Sequence, residues 1–213
     1  MNINMGKLNI EIGEVLRYMG VKKAGTGSPE LEHMKTEILE LYHIMIGAIR
    51  PKYLYKRVRL ENNAVMGSEL VFDGAAINKF LCGIEDAALM VVTLGHEYEL
   101  FVKSRVHMGD SMQNLIIDAL GTELVEKCAD IVEREIRDSV GKGSSSRFSP
   151  GYGDFGLHFQ KPLLDYLEAH RIGVYCNEHY MMFPQKTVTA VVKFEEFQGG
   201  CGQCAKADCE YKK

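Results

Sequence analysis

Arg147, Pro150, Gly151 and Tyr152 stand within six consecutive positions of the run Arg147-Phe148-Ser149-Pro150-Gly151-Tyr152-Gly153, and residues of these types together can hold a small zwitterion. Arg147 offers a planar fork of donors that matches a carboxylate. Pro150 restricts the backbone, so less freedom is lost on ordering, and Gly151 permits a positive φ or a ligand lying against bare backbone. Tyr152 adds a ring face and one hydroxyl. The run follows Gly141-Lys142-Gly143-Ser144-Ser145-Ser146. Glycine, proline and serine are also what a plain surface turn uses after a long helix, so these residues alone leave both readings open.

The elements that must position this run are readable from apolar periodicity. Ile10 to Met19 carries Ile12, Val15, Leu16 and Met19 on one helical face and is closed by Gly20. After a polar connector from Lys22 to Gly27, Ser28-Pro29-Glu30 supplies an N-cap, a first-turn proline and an acid. The helix that follows repeats Leu31, Met34, Ile38, Leu41, Ile44, Met45 and Ala48, and Pro51 bars its continuation. From Tyr53 to Leu60 the chain alternates, Leu54, Lys56, Val58 and Leu60 against Tyr53, Tyr55, Arg57 and Arg59, which is strand spacing. Asn62-Asn63 can take left-handed turn conformations, and Val65 to Phe72 reads as the returning strand of a hairpin. Ala75 to Leu81 is a short helix, Ala87 to Leu94 an apolar run suited to a buried central strand, and Glu97 to Arg105 another helical stretch.

The longest helix is expected from about Ser111 to Ser139, capped by Asp110 or Ser111, with a sustained apolar stripe from Met112 to Ile136. Gly121 inside it costs about 1 kcal/mol relative to alanine and implies either close packing or room for a ligand. Beyond the glycine-rich run, Lys161 to His170 is helical, with Leu163, Leu164 and Leu167 on one face and Gly173 at its end. Val174 to Cys176 and Thr187 to Phe194 read as strands joined through the apolar loop Met181-Met182-Phe183-Pro184. Helices mixed with antiparallel-looking strands make the fold α+β.

Composition narrows the function classes. The chain has 213 residues, 46% hydrophobic and 25% charged, with a formal net charge of -4. That is an ordinary globular balance without the basic face that nucleic acid requires. No apolar run approaches a membrane span and no basic-then-apolar leader opens the chain, so the expectation is a cytoplasmic protein. His96-Glu97 superficially resembles the start of a zinc-protease helix, but position 100 is leucine, so the second histidine is missing. His96 remains a candidate for lining a pocket because it follows a strand end. Of six cysteines, Cys82, Cys128 and Cys176 stand singly in apolar surroundings, where small buried hydrophobes are usual. Cys201, Cys204 and Cys209 crowd the tail after Gly199-Gly200. Their spacing suits zinc or an iron-sulfur cluster, one ligand short, the fourth place falling to Cys176, to a partner or to an open coordination position; a tail without metal is the alternative.

Arg147-x-x-x-Gly151-Tyr152, with His158 eleven positions after the arginine, resembles the S-adenosylmethionine-binding motif in the activation domain of cobalamin-dependent methionine synthase. Upstream, Asp118-Ala119-Leu120-Gly121 to Glu126 is similar to the family's helix before the motif. Downstream, Asn177-Glu178-His179-Tyr180-Met181-Met182-Phe183-Pro184 and Thr187-Val188-Thr189 are similar to its Thr-Glu-Ser-x-x-Met-x-Pro and Ser-Val-Ser segment. The resemblance covers about Gly109 to Phe194 and is looser before that. The family's late tyrosine and its cysteine soon after the motif have no counterpart here, and the cysteine-bearing tail is absent from the family.

What the resemblance implies is a curved single domain, a twisted antiparallel sheet flanked by helices, spanning residues 1–198, with 1–108 loosely and 109–198 well matched, followed by a tail, 199–213. It implies S-adenosylmethionine bound by Arg147, Phe148, Pro150, Gly151, Tyr152, Glu126, His158 and Glu178. Arg147 would clamp the cofactor carboxylate and Glu126 would accept from its ammonium or ribose hydroxyls, unless Glu126 is simply a solvated acid paired near Lys127 or Arg134. No residue need be a nucleophile. A chain of this length has no room for homocysteine, folate and cobalamin modules. It would therefore act in trans on a cobalamin-binding methionine synthase subunit, with a flavodoxin-type electron donor, supporting reductive methylation of cob(II)alamin to methylcobalamin. Another corrinoid methyltransferase as partner, or a redox or metal-binding protein built on the three tail cysteines, are the rival readings.

Overall fold

A computed structural model describes residues 1–3, 6, 8–21, 28–106, 111–141 and 144–195. The expected connector at 22–27, the cap Asp110, the 199–200 hinge and Cys201, Cys204 and Cys209 lie outside them. Among the described residues no helix is long and apolar enough to cross a membrane.

The organising element is a five-stranded antiparallel sheet in the order β2-β1-β3-β7-β4. Its strands are β1 (Lys52–Glu61), β2 (Ala64–Val65), β3 (Asp86–Thr93), β4 (Ser144–Phe148) and β7 (Thr187–Glu195). Two further short strands, β5 (Tyr175–Cys176) and β6 (Met182–Phe183), pair only with each other. Six α-helices accompany them among the described residues: α1 (Ile12–Tyr18), α2 (Pro29–Ala48), α3 (Ala75–Phe80), α4 (His96–Val106), α5 (Ser111–Val140) and α6 (Gln160–Leu167).

β3 runs through the middle of the sheet, and Ala87 to Val92 are all buried because both faces are covered. A strand covered on both faces can be apolar at every position rather than at alternate ones. Ala88, Met90 and Val92 pack with Ala190, Val192 and the helices α1, α2, α4 and α5; Ala87, Leu89 and Val91 pack with Val191, α3, α6 and the rings of Phe155 and Phe159. The sheet thus separates two cores. Which core a side chain joins follows from its parity along the strand.

Apart from the end of α6, the expected helices and the long strands form where periodicity places them. Ser28 Oγ accepts from the Leu31 N–H, Pro29 begins α2, and the helix stops before Pro51. Tyr98 explains Gly121: a Cβ there would lie 2.5–2.6 Å from the tyrosine ring and hydroxyl, whose O–H donates to the Ile117 carbonyl. Close packing, not space for a ligand, occupies that position.

Four expectations need correction. The strand expected from Val65 to Phe72 is only two residues long, because a second turn through Gly67 (φ 77°) and Ser68 folds the chain back on itself and Val65 donates to the Leu70 carbonyl. Ser144–Phe148, expected within a glycine- and serine-rich loop, is the edge strand β4, held by β7 in the register Ser145 to Phe194 and Arg147 to Val192. Helix α6 ends at Leu167, since Glu168 turns left-handed (φ 56°), and a 3-10 turn over Ala169–Ile172 completes the segment. Cys82 is exposed in the turn after α3; Cys128 is buried, its thiol pushed up to about 12 by desolvation, and Cys176 is partly buried.

Candidate functional site

Consecutive residues of β4 point to opposite faces of the sheet, and this divides the expected binding residues into two groups. Arg147 lies opposite Val192, a member of the core beneath α5, whereas Phe148 lies opposite Val191, a member of the other core.

On the α5 side, Arg147 reaches three carboxylates of one helix. Its Nη1 donates to Asp130 Oδ1 at 2.6 Å and to Glu133 Oε2 at 2.9 Å, and its Nη2 donates to Glu126 Oε2 at 2.8 Å. Ser145, two residues back on the same face of β4, donates to the second oxygen of Glu133 at 2.8 Å. Positions 126, 130 and 133 are four and three apart, the spacing that stacks side chains on one helical face. Burial alone disfavours the guanidinium charge, but Asp130, Glu126 and Glu133 outweigh it and raise the Arg147 pKa above its ordinary value. One guanidinium against three carboxylates leaves an excess of two negative charges when all are ionised. Glu126 therefore pairs with Arg147, while its neighbour Lys127 is engaged with Glu11 and Glu123. Tyr18 of α1 is close enough that, after burial, the charge of Glu126 is the main influence raising its hydroxyl pKa.

On the other side of β4 the chain turns through Ser149 and buried Pro150 into a compact loop. Gly151 has φ 98°, where a side chain would be strained, and an added Cβ would come within 3.1 Å of Leu157. Its N–H donates to the Phe155 carbonyl at 2.6 Å. Tyr152 is 53% exposed and meets Phe148 edge-on at 5.6 Å between ring centroids. Phe148 in turn stacks on Phe80 and Phe155. Asp154 fastens the loop to α3, its two carboxylate oxygens accepting from the N–H groups of Ala75 and Ala76 at 2.7 and 2.8 Å.

His158 is exposed at the end of this loop, its ring 4.3 Å from that of Phe159 and 6.3 Å from that of Tyr180. Glu178 stands at the exposed turn between β5 and β6, 3.6 Å from His179, in a turn closed by Asn177 Oδ1 accepting from the N–H groups of His179 and Met181. His96 is exposed at the start of α4, 3.5 Å from Glu99. The structure thus joins Arg147 to Glu126 and groups Phe148, Pro150, Gly151 and Tyr152, with His158 and Glu178 farther along the loop side.

The fold is shared with a domain of known structure. A crystal structure of the MetH reactivation domain bound to AdoHcy superposes with a TM-score of 0.74, covering 93% of this chain and 78% of that one. At 12% identity the likeness establishes the fold alone. No family model and no curated protein sequence matches the chain.

The α+β architecture expected from the sequence is the architecture of that reactivation domain. Asp130, Glu133 and Ser145 were not singled out in the sequence, although the first two stand at helical spacing from Glu126 and so share its face of the helix. Asp154 gave no such signal, since its contacts are 78 and 79 residues away. Among the described residues, no group of three or more histidine, cysteine, aspartate or glutamate side chains is arranged to hold a metal ion.

Proposed function

We propose that the chain binds S-adenosylmethionine and serves in trans as a reactivation component for a cobalamin-dependent methionine synthase. The observation that carries this reading is a fold likeness spanning 93% of the chain to a reactivation domain bound to AdoHcy. The run Arg147-x-x-x-Gly151-Tyr152 at the end of β4 supports it.

The residues present suit such a ligand. S-adenosylmethionine carries two cations, a sulfonium and an ammonium, and one carboxylate. A cluster with negative charge in excess around a single guanidinium complements that distribution. In this proposal Arg147 receives the ligand carboxylate, Glu126 accepts from the ammonium, and Gly151 and Tyr152 shape the pocket beyond the edge of β4. Phe148, Pro150, His158 and Glu178 complete the loop side. Bound here, the ligand would give its sulfonium methyl to cobalamin held by the partner after a flavodoxin-type protein had reduced it, leaving S-adenosylhomocysteine. The task of this chain is to bind and orient, so it needs no nucleophile of its own. Residues 1–198 form the binding unit and 199–213 a tail in this reading.

Calorimetric titration of S-adenosylmethionine into the wild-type protein and Arg147→Ala tests the proposal. Saturable binding is expected, weakened roughly tenfold or more in the variant, since a hydrogen bond to a charged group contributes about 1.5–3 kcal/mol. Equal affinity in the two proteins would remove the assignment of Arg147, and no binding to the wild type would remove the reading itself.

A further inference from the structure

Nη1 of Arg147 already donates to Asp130 and Glu133 and Nη2 to Glu126, so a ligand carboxylate must compete with these acids for the guanidinium. The three acids are not equally replaceable. Glu133 is held from two directions, by Arg147 and by Ser145, and its side chain is only 16% exposed. Asp130 shares Nη1 with Glu133, so its departure would leave that nitrogen engaged. Glu126 meets Nη2, is 34% exposed, and its displacement opens one complete donor toward solvent.

We propose that Glu126 is a built-in stand-in for the ligand carboxylate and that it determines which ligands this cluster accepts. The incoming carboxylate takes the place of Glu126 on Nη2, and the released Glu126, one long flexible side chain on a rigid helix, accepts from the ligand's α-ammonium. One ion pair is thereby replaced by two. A ligand with a carboxylate but no amine must expel Glu126 and offers it nothing; a ligand with an amine but no carboxylate draws Glu126 away and leaves Nη2 bare. The cluster therefore selects an α-amino acid end. This rests on the reading above for the identity of the whole ligand and adds the rule by which one end of it is recognised.

The test uses two small probes, L-methionine and 3-(methylthio)propionate, which differ in the α-amine. Each is titrated into the full chain while the guanidinium nitrogen signals of Arg147 are followed by NMR, in the wild type, Glu126→Gln and Asp130→Asn. In the wild type, L-methionine is expected to move the Arg147 signal at the lower concentration. In Glu126→Gln the half-saturating concentration of 3-(methylthio)propionate should fall roughly fivefold or more, because a charge-assisted competitor has been removed. That of L-methionine should change little, so the gap closes. Asp130→Asn should leave the gap as in the wild type.

An unmoved Arg147 signal, an unchanged response to 3-(methylthio)propionate in Glu126→Gln, or a gap that closes equally in Asp130→Asn would overturn the exchange. Calorimetry with S-adenosylmethionine in the same buffer separates this from the functional reading. Binding without movement of Arg147 sinks the exchange and keeps the reading; movement by L-methionine without binding of S-adenosylmethionine does the reverse.

Discussion

The two sides of β4 are built on different physics. Toward α5, Arg147 is fixed by charged hydrogen bonds of 2.6 to 2.9 Å to three acids. One residue later, Phe148 enters a group of rings, Phe80, Tyr152 and Phe155, with centroids 5.0 to 6.1 Å apart. The first arrangement is directional and depends on the ionisation of its members; the second depends on excluded water and shape. A motif that is compact in sequence is therefore divided in space. A ligand meeting both Arg147 and Tyr152 has to cross the margin of the sheet, which the terminal place of β4 allows. The residues proposed to bind can therefore be weakened one side at a time.

The largest effect is expected on the aromatic side. Phe155 is 1% exposed and lies between Phe72, Phe148 and Phe159. Its backbone also receives the Gly151 N–H, so it seats the loop as well as filling the core. Phe155→Ala should cost about 3–5 kcal/mol in urea unfolding. A cost below about 1 kcal/mol would mean that the ring cluster collapses freely and does not hold the loop.

The next effect belongs to the charged side and carries a pH signature. Glu123 lies one turn before Glu126 on α5 and is buried; burial raises its pKa, partly offset by the Glu11 N–H and by Lys127. A raised folded pKa means that the unfolded chain loses this proton first. Stability is therefore lost as pH climbs through the ordinary glutamate range toward the folded value. Glu123→Gln keeps an acceptor for the Glu11 N–H and removes the charge, so its melting temperature relative to wild type should rise between about pH 4 and pH 7. A flat difference would show that Lys127 already neutralises the cost of burying the acid.

Much of the fold was legible beforehand, and what escaped did so for physical reasons. The alternation of Leu54, Lys56, Val58 and Leu60 against Tyr53, Tyr55 and Arg57 marks β1 because a solvent-touching strand records its two faces in its composition. Ser28, Pro29 and Pro51 bound α2 because capping is local. β4 was not legible, since Ser144, Ser145 and Ser146 have weak strand preference and their partner is β7, more than forty residues away. The same non-locality hid the hold that Asp154 has on the start of α3, whereas the acids Asp130 and Glu133 were available to inspection at positions spaced from Glu126 by helical turns. Arg147 and Glu126 were both singled out, but their mutual pairing required the register of β4 against β7 to place the arginine beneath α5 rather than on the face of Phe148.

The smallest expected effect reverses the sign of the second and so tests the comparison from the loop side. Asp154 is an exposed carboxylate whose pKa is lowered by the Ala76 and Ala75 N–H groups it accepts from. A lowered folded pKa contributes stability that is present above the unfolded value and is lost as pH falls through the folded one. Asp154→Ala should thus be less stable than wild type at neutral pH, with the deficit shrinking below about pH 4, where the wild-type carboxylate also becomes protonated. The melting temperatures of the two proteins, measured from pH 3 to pH 7, give the answer. A deficit that stays constant with pH would mean that Asp154 seats the loop by its shape, and that the loop side of β4 owes nothing to charge. A deficit that shrinks with acid would place one electrostatic fastening on the otherwise aromatic side, at the point where the loop carrying Gly151 and Tyr152 meets the start of α3.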